Sequence, residues 1–385
     1  MAIFRRLPYD IKQIDYSSID WSTLELPRYG TNGSDTLRGG VGRDHFYGSG
    51  GNDTFFGNGG TDTFDGGDDI DTVDYSTTAE HEAFSFAPLK VTGVFANLET
   101  GEGGETSALE DSFIKIENVT GSNFNDALFG NSQVNVLRGL NGDDFIEGGA
   151  GGDTLIGDGG SDTVSYISSN QRVVVNLLND TASGGHATGD TIVGFENIFG
   201  SMNDDTLTGD EQDNTIEGGL GRDTMDGSTG LNDTVSYSIS NAGVTVNLQR
   251  QVASGGHATG DTIRGFENVI GSEYGDVLTG SSADNTFTGL GGDDVMTGGG
   301  GVDTFVFNVN ATTGDDHITD FTVPFDRLVF DVTDPTVDEV AGDWTEISGG
   351  RGNLVFDLGN GDTLTVDNIT QFDAGVIQLF GITYV

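Results

Sequence analysis

The sequence predicts an all-β fold, a parallel β-solenoid, and three observations lead to this prediction. Acidic residues recur every nine residues in a first block, at Asp35, Asp44, Asp53, Asp62 and Asp71. An apolar residue follows two positions after each of them, at Leu37, Phe46, Phe55, Phe64 and Val73. Glycine fills most of the positions between, where it allows tight bends. A short unit repeated at fixed spacing cannot bury its apolar face alone, so consecutive units are expected to stack.

Three further blocks repeat this spacing. The second block has Asp126, Asn135, Asp144, Asp153 and Asp162. The third has Asp205, Asn214 and Asp223, and then slips by one residue to Asp233. The fourth has Asp276, Asn285, Asp294 and Asp303. The apolar residue at plus two is present in all of them, so each nonapeptide is predicted to supply one turn and one short strand whose apolar residue enters the core.

The segments between the blocks also follow the pattern. Residues 162–166 recur as residues 233–237, an offset of 71 that indicates an array of similar modules. Counting back nine residues from the first acid of blocks two, three and four gives Glu117, Glu196 and Glu267, each with an apolar residue at plus two. We interpret these turns as the first coil of each roll, closing the open end of its core. A dedicated ligand role for the glutamates is the alternative.

Composition indicates cation binding. The 385 residues include 63 Gly, 62 Asp plus Glu and only 15 Lys plus Arg, for a formal net charge of -47. Regularly spaced carboxylates at this density repel one another unless counter-ions bind them. No basic stripe exists to meet phosphates, which argues against nucleic acid and anionic membrane surfaces as partners. The chain has no Cys, no apolar run of transmembrane length and no apolar core of a signal peptide near its first residues.

The nonapeptide G-G-x-G-x-D-x-U-x, seen at residues 39–47, resembles the calcium-binding repeat of the RTX (repeats-in-toxin) family. The resemblance implies calcium-bound parallel β-roll modules in which two nonapeptides form a coil of 18 residues. It also implies that each Ca2+ ion lies between a turn and the turn one coil later, held by both acids and by carbonyl oxygens of the glycine-rich loop. Applied to the four blocks, this arrangement predicts about ten ions, with interior acids shared between neighbouring sites.

The candidate ligands implied by the resemblance come from all four blocks. In block one they are Asp35, Gly40, Gly42, Asp44, Gly51, Asp53, Gly60, Asp62 and Asp71. In block two they are Asp126, Asn135, Gly142, Asp144, Gly149, Gly151, Asp153, Gly160 and Asp162. In blocks three and four they are Asp205, Asn214, Gly219, Gly221, Asp223, Asp233, Asp276, Asn285, Gly292, Asp294, Gly299, Gly301 and Asp303. The three asparagines are expected to keep an oxygen ligand while losing its charge.

The predicted domains alternate rolls with interludes. They are an N-terminal segment (1–30), β-roll 1 (31–76), an interlude (77–120), β-roll 2 (121–166), an interlude (167–199), β-roll 3 (200–237), an interlude (238–270), β-roll 4 (271–308) and a β-rich C-terminal cap with a secretion signal region (309–385). Residues 314–321, 326–328 and 361–366 resemble the C-terminal cap of serralysin-like RTX proteins. The apolar end at 379–385 suits a signal read by a type I secretion apparatus.

No catalytic motif stands out. Ser85 occupies the place of the second histidine after His81-Glu82, and His186 and His257 are equivalent loop residues of the long repeat. The first hypothesis is therefore a non-enzymatic, exported calcium-binding protein with a structural, surface-layer, adhesive or matrix role. Candidate partners are extracellular polysaccharide, a cell surface or further copies of the chain. The alternatives are an accessory module or enzyme acting on polysaccharide, such as an alginate-type epimerase or lyase, or a secreted pore-forming or nodulation-type signalling protein.

Overall fold

The computed structural model describes residues 27–80, 84–86, 89–105, 110–308, 312–331, 342–348, 351–359, 361–370 and 382–384. The described chain is almost entirely β. The predicted N-terminal segment up to residue 26 and most of the predicted secretion signal lie outside these residues. No helix in the described ranges is long and apolar enough to cross a membrane.

The strands up to the start of the second block are short. They are β1 (Arg28–Tyr29), β2 (Thr36–Arg38), β3 (His45–Gly50), β4 (Thr54–Phe56), β5 (Thr63–Asp68), β6 (Thr72–Asp74), β7 (Phe84–Phe86), β8 (Leu89–Val91), β9 (Phe95–Asn97), β10 (Glu102–Gly104), β11 (Asp111–Ile114) and β12 (Asn118–Thr120). The second block and its interlude contain β13 (Ala127–Asn131), β14 (Val136–Asn141), β15 (Phe145–Gly149), β16 (Thr154–Gly159), β17 (Thr163–Ser165), β18 (Val174–Asn176), β19 (Thr181–Ser183), β20 (Thr191–Val193) and β21 (Asn197–Phe199).

The remaining strands continue the same pattern to the C-terminal region. They are β22 (Thr206–Thr208), β23 (Thr215–Glu217), β24 (Thr224–Asp226), β25 (Thr234–Ser236), β26 (Thr245–Asn247), β27 (Val252–Ser254), β28 (Thr262–Arg264), β29 (Asn268–Ile270), β30 (Val277–Thr279), β31 (Thr286–Thr288), β32 (Val295–Thr297), β33 (Thr304–Asn308), β34 (Asp315–Ile318), β35 (Arg327–Asp331), β36 (Gly342–Ser348), β37 (Arg351–Gly359), β38 (Asp362–Thr370) and β39 (Ile382–Tyr384). Short 3-10 helices occur at Leu177–Asn179, Gly185–Ala187 and Gly256–Ala258.

Strands one coil apart pair in parallel, which confirms the predicted parallel β-roll. Leu37 lies opposite Phe55 in the pairing of β2 with β4, and Phe46 lies opposite Phe64 in the pairing of β3 with β5. Both pairs are 18 residues apart, so successive nonapeptides alternate between two facing sheets. We name the sheet that contains β3 the first sheet and the sheet that contains β2 the second sheet.

The core lies between the two sheets. Phe46, Phe55 and Phe64 are completely buried, and the rings of Phe46 and Phe64 stack with their centroids 5.0 Å apart. The prediction that these aromatic rings form a core ladder is therefore confirmed. Threonine commonly flanks the buried residue of each short strand, and its β-branched side chain suits a half-buried pleated surface.

The interludes insert three-stranded antiparallel meanders into the roll. The first meander, β9–β10–β11, lies in the first sheet, whereas β18–β19–β20 and β26–β27–β28 lie in the second sheet. In the sheet opposite each meander, one glutamate coil continues the ladder without a break. Its strand β12, for example, pairs in parallel with both β6 and β14. These coils join successive blocks, so the prediction that they close the open end of a core was wrong.

The C-terminal region starts as a continuation of the roll. Strands β33, β34 and β35 still pair in parallel with the strands one coil earlier. The ladder then changes character, because β38 pairs in parallel with β34 but antiparallel with β37, which in turn pairs antiparallel with β36. Strand β39 adds to β35.

Candidate calcium-binding turns

The acids of the nonapeptides form hydrogen-bonded ladders along both edges of the roll. In each pair one coil apart, the backbone N–H of the earlier residue donates to the side-chain Oδ1 of the later acid. The distance is 2.8 Å from Asp35 to Asp53 and 2.9 Å from Asp126 to Asp144. The other eight pairs are joined in the same way at 2.8 to 3.0 Å. The structure thus brings together all ten of the predicted ligand pairs.

The turns fall into two classes, and the first class we call closed turns. In a closed turn, the backbone N–H four residues before the acid or asparagine donates to its side-chain oxygen. The bond is 2.7 Å long from Gly40 to Asp44 and 2.6 Å long from Ser122 to Asp126. Within the four blocks, closed turns end at Asp35, Asp44, Asp126, Asn135, Asp205, Asn214, Asp276 and Asn285. Each is the first of the nonapeptide turns that stack along one edge of the roll within its block.

The second class, which we call open turns, has a residue with positive φ near the start of the loop. It lies four residues before the acid, as with Ser49 before Asp53 at φ 82° and Leu140 before Asp144 at φ 86°. The open turns end at Asp53, Asp62, Asp71, Asp144, Asp153, Asp162, Asp223, Asp233, Asp294 and Asp303. At Asp233 the positive φ falls on Ser228, five residues before, because of the one-residue slip. These ten acids are the later members of the ten predicted pairs.

The open turns leave carboxylate oxygens buried without a hydrogen-bond partner. Within the described residues this holds for Oδ2 of Asp53, Asp71, Asp144, Asp153, Asp162, Asp223 and Asp233. These side chains are at most 2% exposed. A buried, unpaired oxygen carrying negative charge is costly unless a cation or proton meets it.

Burial accordingly raises the pKa of the open-turn acids. Desolvation is the largest cause at each of them, and at all of them except Asp153 neighbouring carboxylates add to it. It raises the pKa of Asp144 and Asp294 to about 9 and that of Asp223 to about 8. The pKa of Asp62 is raised to about 7. The protein alone therefore disfavours the charged form that a metal ion requires, and a bound divalent cation would reverse that preference.

Glycine is required where the turns of successive coils touch. The candidate ligand Gly60 has φ +118°, and a Cβ on it would overlap the carbonyl group of Gly42 in the preceding turn. Eight of the predicted ligand glycines two residues before an acid have a positive φ: Gly51, Gly60, Gly142, Gly151, Gly160, Gly221, Gly292 and Gly301. Three other predicted ligand glycines, Gly149, Gly219 and Gly299, occupy the positive-φ position four residues before an acid. Gly42 itself has open space around it and no positive φ, and Gly40 donates to Asp44.

A further set of glycines was not among the sequence candidates. In open and closed turns alike, the glycine five residues before the acid or asparagine (six before Asp233) lies directly against its side-chain oxygen. A Cβ on Gly48 would overlap both Asp53 Oδ2 and the carbonyl oxygen of Gly66 one coil later. Gly139 has the same relation to Asp144 and Gly157. Carboxylate and carbonyl oxygens thus converge on these glycine Cα atoms, which is the type of oxygen cradle that suits Ca2+.

The three asparagines use both side-chain atoms within the protein. Asn135 accepts the N–H of Asn131 on Oδ1 and donates from Nδ2 to the Glu117 carbonyl oxygen at 2.7 Å. Asn214 and Asn285 donate in the same way to Glu196 and Glu267. An amide is needed here because the position faces a carbonyl oxygen, which a carboxylate would repel. The asparagines are the earlier members of their pairs, and their later partners are open-turn acids.

Several acids that extend the ladders were not among the candidate ligands. Glu117 accepts the N–H of Asp71 at 2.9 Å, and Glu196 and Glu267 accept those of Asp162 and Asp233. In the meanders, the same function falls to Asp111, Asp190 and Asp261, whose Oδ1 atoms accept the N–H groups of Asp62, Asp153 and Asp223. Asp316 and Asp326 continue the ladders into the C-terminal region. The Asp-Thr-Ile sequence at 190–192 and 261–263 was the available signal, hidden by insertions of irregular length.

A buried tyrosine hydroxyl meets the second oxygen of each meander acid. Tyr75 donates to Asp111 at 2.6 Å, and Tyr166 and Tyr237 donate to Asp190 and Asp261 at 3.1 Å. In an open turn the corresponding oxygen has no such donor. The tyrosine hydroxyls therefore meet the second carboxylate oxygen at the meanders, as a bound cation would do in the open turns of the blocks.

Side chains alone do not assemble a metal site. Among the described residues, no group of three or more His, Cys, Asp or Glu side chains is close enough together to hold one ion. Any cation at these turns must take backbone carbonyl oxygens as ligands, as hard cations with six to eight oxygen ligands commonly do. His81 and Glu82 lie outside the described residues.

The comparison with protein-family models agrees with the repeat spacing. The family model described as RTX calcium-binding nonapeptide repeat (4 copies) matches residues 29–64, 42–73, 129–164, 199–234 and 270–305. No match was found among curated proteins. Among solved structures, the extracellular lipase LipA from Serratia marcescens is similar at 16% identity over 71% of this chain, with a TM-score of 0.22. The chain covers 41% of that lipase. RTX calcium-binding nonapeptide repeats are therefore present in each of the four blocks of this chain.

Proposed function

We propose that this chain is an exported protein that folds on binding about ten Ca2+ ions and then serves a structural, surface-layer, adhesive or matrix role. The observation that carries the proposal is the match between open turns and predicted sites. Each of the ten predicted pairs ends in one open turn, and seven of those turns bury an unpaired Oδ2. One divalent cation for each open turn would neutralise these oxygens.

The residues that would hold each ion come from two turns one coil apart. Between Asp126 and Asp144, for example, the oxygens present are those of the two carboxylates and of the loop carbonyls, including that of Gly139 beside Gly121. When bound, Ca2+ supplies positive charge and accepts several oxygen ligands at once. Because interior acids such as Asp53 and Asp144 would serve two sites, binding is expected to be cooperative along a block.

Export follows from the charge and from calcium availability. RTX repeats are typical of exported proteins, and a body with a formal net charge of -47 repels itself where calcium is scarce. Extracellular modules bind Ca2+ at about 0.1 to 1 mM, far above cytosolic concentrations. Folding is therefore expected only after the chain reaches a calcium-rich exterior, where calcium binding stabilises the folded state. We propose a non-enzymatic role for the folded roll.

Removal of calcium tests the proposal. Circular dichroism of the full chain in excess EDTA should show a largely unfolded spectrum, and addition of Ca2+ should restore β-structure with a midpoint of about 0.1 to 1 mM. Elemental analysis of the refolded, desalted protein should give about ten calcium atoms per chain, the number of open turns. Mg2+ is the control and should not restore the fold, because its small octahedral shell fits a carbonyl-rich cradle poorly. A β-spectrum that persists at about pH 8 after complete metal removal would refute the proposal.

A further inference from the structure

A groove of about 430 Å³ lies on the outer face of the first sheet. Its lining includes Asn131 of the closed turn that ends at Asn135 and Gly149 of the open turn that ends at Asp153, so it borders two of the candidate calcium turns. Its floor crosses three neighbouring strands, where Asn97, Phe129 and Glu147 lie opposite one another in register. Phe129 and Glu147 face outward, because their neighbours Leu128 and Ile146 are completely buried in the core. Glu99 and His186 complete the walls. We name this feature the His186 groove.

The polar groups of the His186 groove are held in place by the protein. Asn97 accepts the backbone N–H groups of Glu99 and Thr100 on Oδ1 at 3.0 and 2.9 Å. Asn131, also in the wall, accepts the N–H of Gln133 on Oδ1 at 2.8 Å. These bonds fix both amides with their oxygens toward their own loops, so the Nδ2 groups are the donors available to a ligand.

A buried carboxylate and an imidazole add to this set. Glu147 is 4% exposed and accepts the Ser168 N–H at 2.9 Å and the Ser165 hydroxyl at 3.2 Å. The Ser168 hydroxyl lies 3.2 Å from His186 Nδ1, which orients the ring and leaves Nε2 as its other polar atom. The groove therefore places oriented donors and acceptors beside the half-buried ring of Phe129.

The charge of the groove lining indicates which class of ligand the groove can bind. The described lining contains two glutamates and no Lys or Arg, in a chain with a formal net charge of -47. Phosphates, sulfates and uronates would be repelled. A neutral sugar ring has an apolar face for the aromatic ring and hydroxyl groups for the amides and carboxylates, and the groove has the volume of a small-ligand site. We propose that the His186 groove binds a neutral hexose unit of a glycan.

The second long repeat provides a matched comparison. Glu217 accepts the Ile239 N–H at 3.0 Å and the Ser236 hydroxyl at 2.7 Å, as Glu147 does one repeat earlier. His257, the counterpart of His186, is only 5% exposed. The meander that supplies Asn97 lies in the first sheet, whereas the later meanders lie in the second sheet. The wall formed by Asn97 and Glu99 therefore lies beside Glu147 of the first long repeat and not beside Glu217 of the second.

The test is isothermal titration of the full chain in saturating calcium with cellohexaose, maltohexaose and, as the anionic probe, a β-mannuronate hexamer. At least one neutral hexaose should bind and the uronate should not. Asn131→Asp keeps the acceptor for Gln133 but replaces the Nδ2 donor with a negative oxygen, and should weaken binding at least about tenfold. His186→Gln should also weaken binding, whereas His257→Gln should leave it unchanged.

Circular dichroism and the calcium midpoint of the same samples separate this proposal from the calcium proposal. If the chain folds with calcium and neither neutral hexaose binds, the groove proposal is overturned while calcium-dependent folding stands. Equal affinity of the Asn131→Asp variant and the unchanged chain, with normal spectra, would also overturn it. Tighter binding of the mannuronate hexamer would show that the charge argument is wrong.

Discussion

At the scale of single residues, the roll depends on what meets the second oxygen of each buried carboxylate. Asp126 has both oxygens occupied, by the N–H groups of Val94 and Ser122 and by the Ser122 hydroxyl. Asp144 has Oδ1 on the Asp126 N–H and Oδ2 without a partner. The same residue type is thus self-sufficient in a closed turn and incomplete in an open one. A cation is the missing partner that the proposed function supplies.

Substituting an interior acid should harm calcium-dependent folding more than substituting the first acid. Asp144→Ala should raise the calcium midpoint by about 3- to 10-fold, because Asp144 is buried and serves two proposed ions. Asp35→Ala should raise it by less than about twofold, because Asp35 is more exposed and serves one proposed ion. Calcium titrations followed by circular dichroism measure both. Equal midpoint shifts for the two variants would reject shared ligation.

The meander acids allow a test that does not involve a proposed ion. Tyr166→Phe removes the hydroxyl that meets Asp190 and leaves a buried carboxylate oxygen without its donor. The free energy of unfolding at saturating calcium should fall by about 1.5 to 3 kcal/mol, the range for hydrogen bonds to charged groups. Tyr274, which is 50% exposed, provides the control variant Tyr274→Phe. Urea unfolding with the same loss in both variants would show that the buried hydroxyl has no special role.

At the scale of turns and strands, a turn's conformation follows from its neighbour one coil earlier. Residues 39–44 and 57–62 both have glycine at the first and fourth motif positions and aspartate at the sixth. The first of these turns is closed, with no nonapeptide turn before it, and the second is open and stacks on the first. Stacking places the Gly60 backbone against the Gly42 carbonyl group, a contact that only glycine permits.

A matched pair of glycine variants tests this difference. Gly60→Ala should prevent the coil from stacking and raise the calcium midpoint strongly, because φ is +118° and the added Cβ meets backbone. Gly42→Ala should shift the midpoint little, because nothing lies within 4 Å of a Cβ at that position. Calcium titration by circular dichroism compares the two. A strong effect of Gly42→Ala, or none of Gly60→Ala, would contradict the assignment of open and closed turns.

At the scale of the whole molecule, the four blocks are joined because parallel pairing continues, at each junction, in the sheet opposite the meander. Parallel pairing runs from β6 through β12 to β14 in the second sheet and from β17 through β21 to β23 in the first. The stability of such an array is local, since each coil contacts mainly its neighbours. Neighbouring coils also interact through charge, because the buried acids in successive coils repel one another.

The metal-free chain should therefore gain structure as the pH falls. Burial raises the pKa of Asp144 and Asp294 to about 9 and that of Asp223 to about 8, from an ordinary 3.8. The folded state then binds more protons than the unfolded state between about pH 4 and 9, so its stability falls as pH rises through that range. Protein freed of metal on a chelating resin should show more β-structure at about pH 5.5 than at about pH 8.

With calcium present the direction should reverse, because protons compete with the metal for the same carboxylates. The control is the same pair of circular dichroism spectra in saturating calcium, with sedimentation to confirm that the low-pH species is not an aggregate. Identical spectra of the metal-free protein at both pH values would show that carboxylate charge does not oppose folding.

The period of nine, with its apolar residue at plus two, was enough to predict stacked β-units and their core, and the 18-residue coil was implied by the resemblance to RTX repeats. Phe46, Phe55 and Phe64 could be assigned to the core from spacing alone, because side-chain direction in a strand has a strict period of two. The pairing of acids one coil apart was implied by the resemblance to RTX repeats. Local repetition carries this information, since the neighbours of each residue are set by a constant offset.

Only the tertiary structure decided how each turn is completed. Asp111 and Asp190 join the ladders across 49 and 37 residues, distances that depend on the lengths of the inserted meanders. Whether a turn is closed or open depends on the preceding turn in space, so Gly42 and Gly60 differ although their motif positions are the same. A repeat specifies contacts at a fixed offset in the sequence. It does not specify which residue of an insertion of variable length will pair with the last acid of a block.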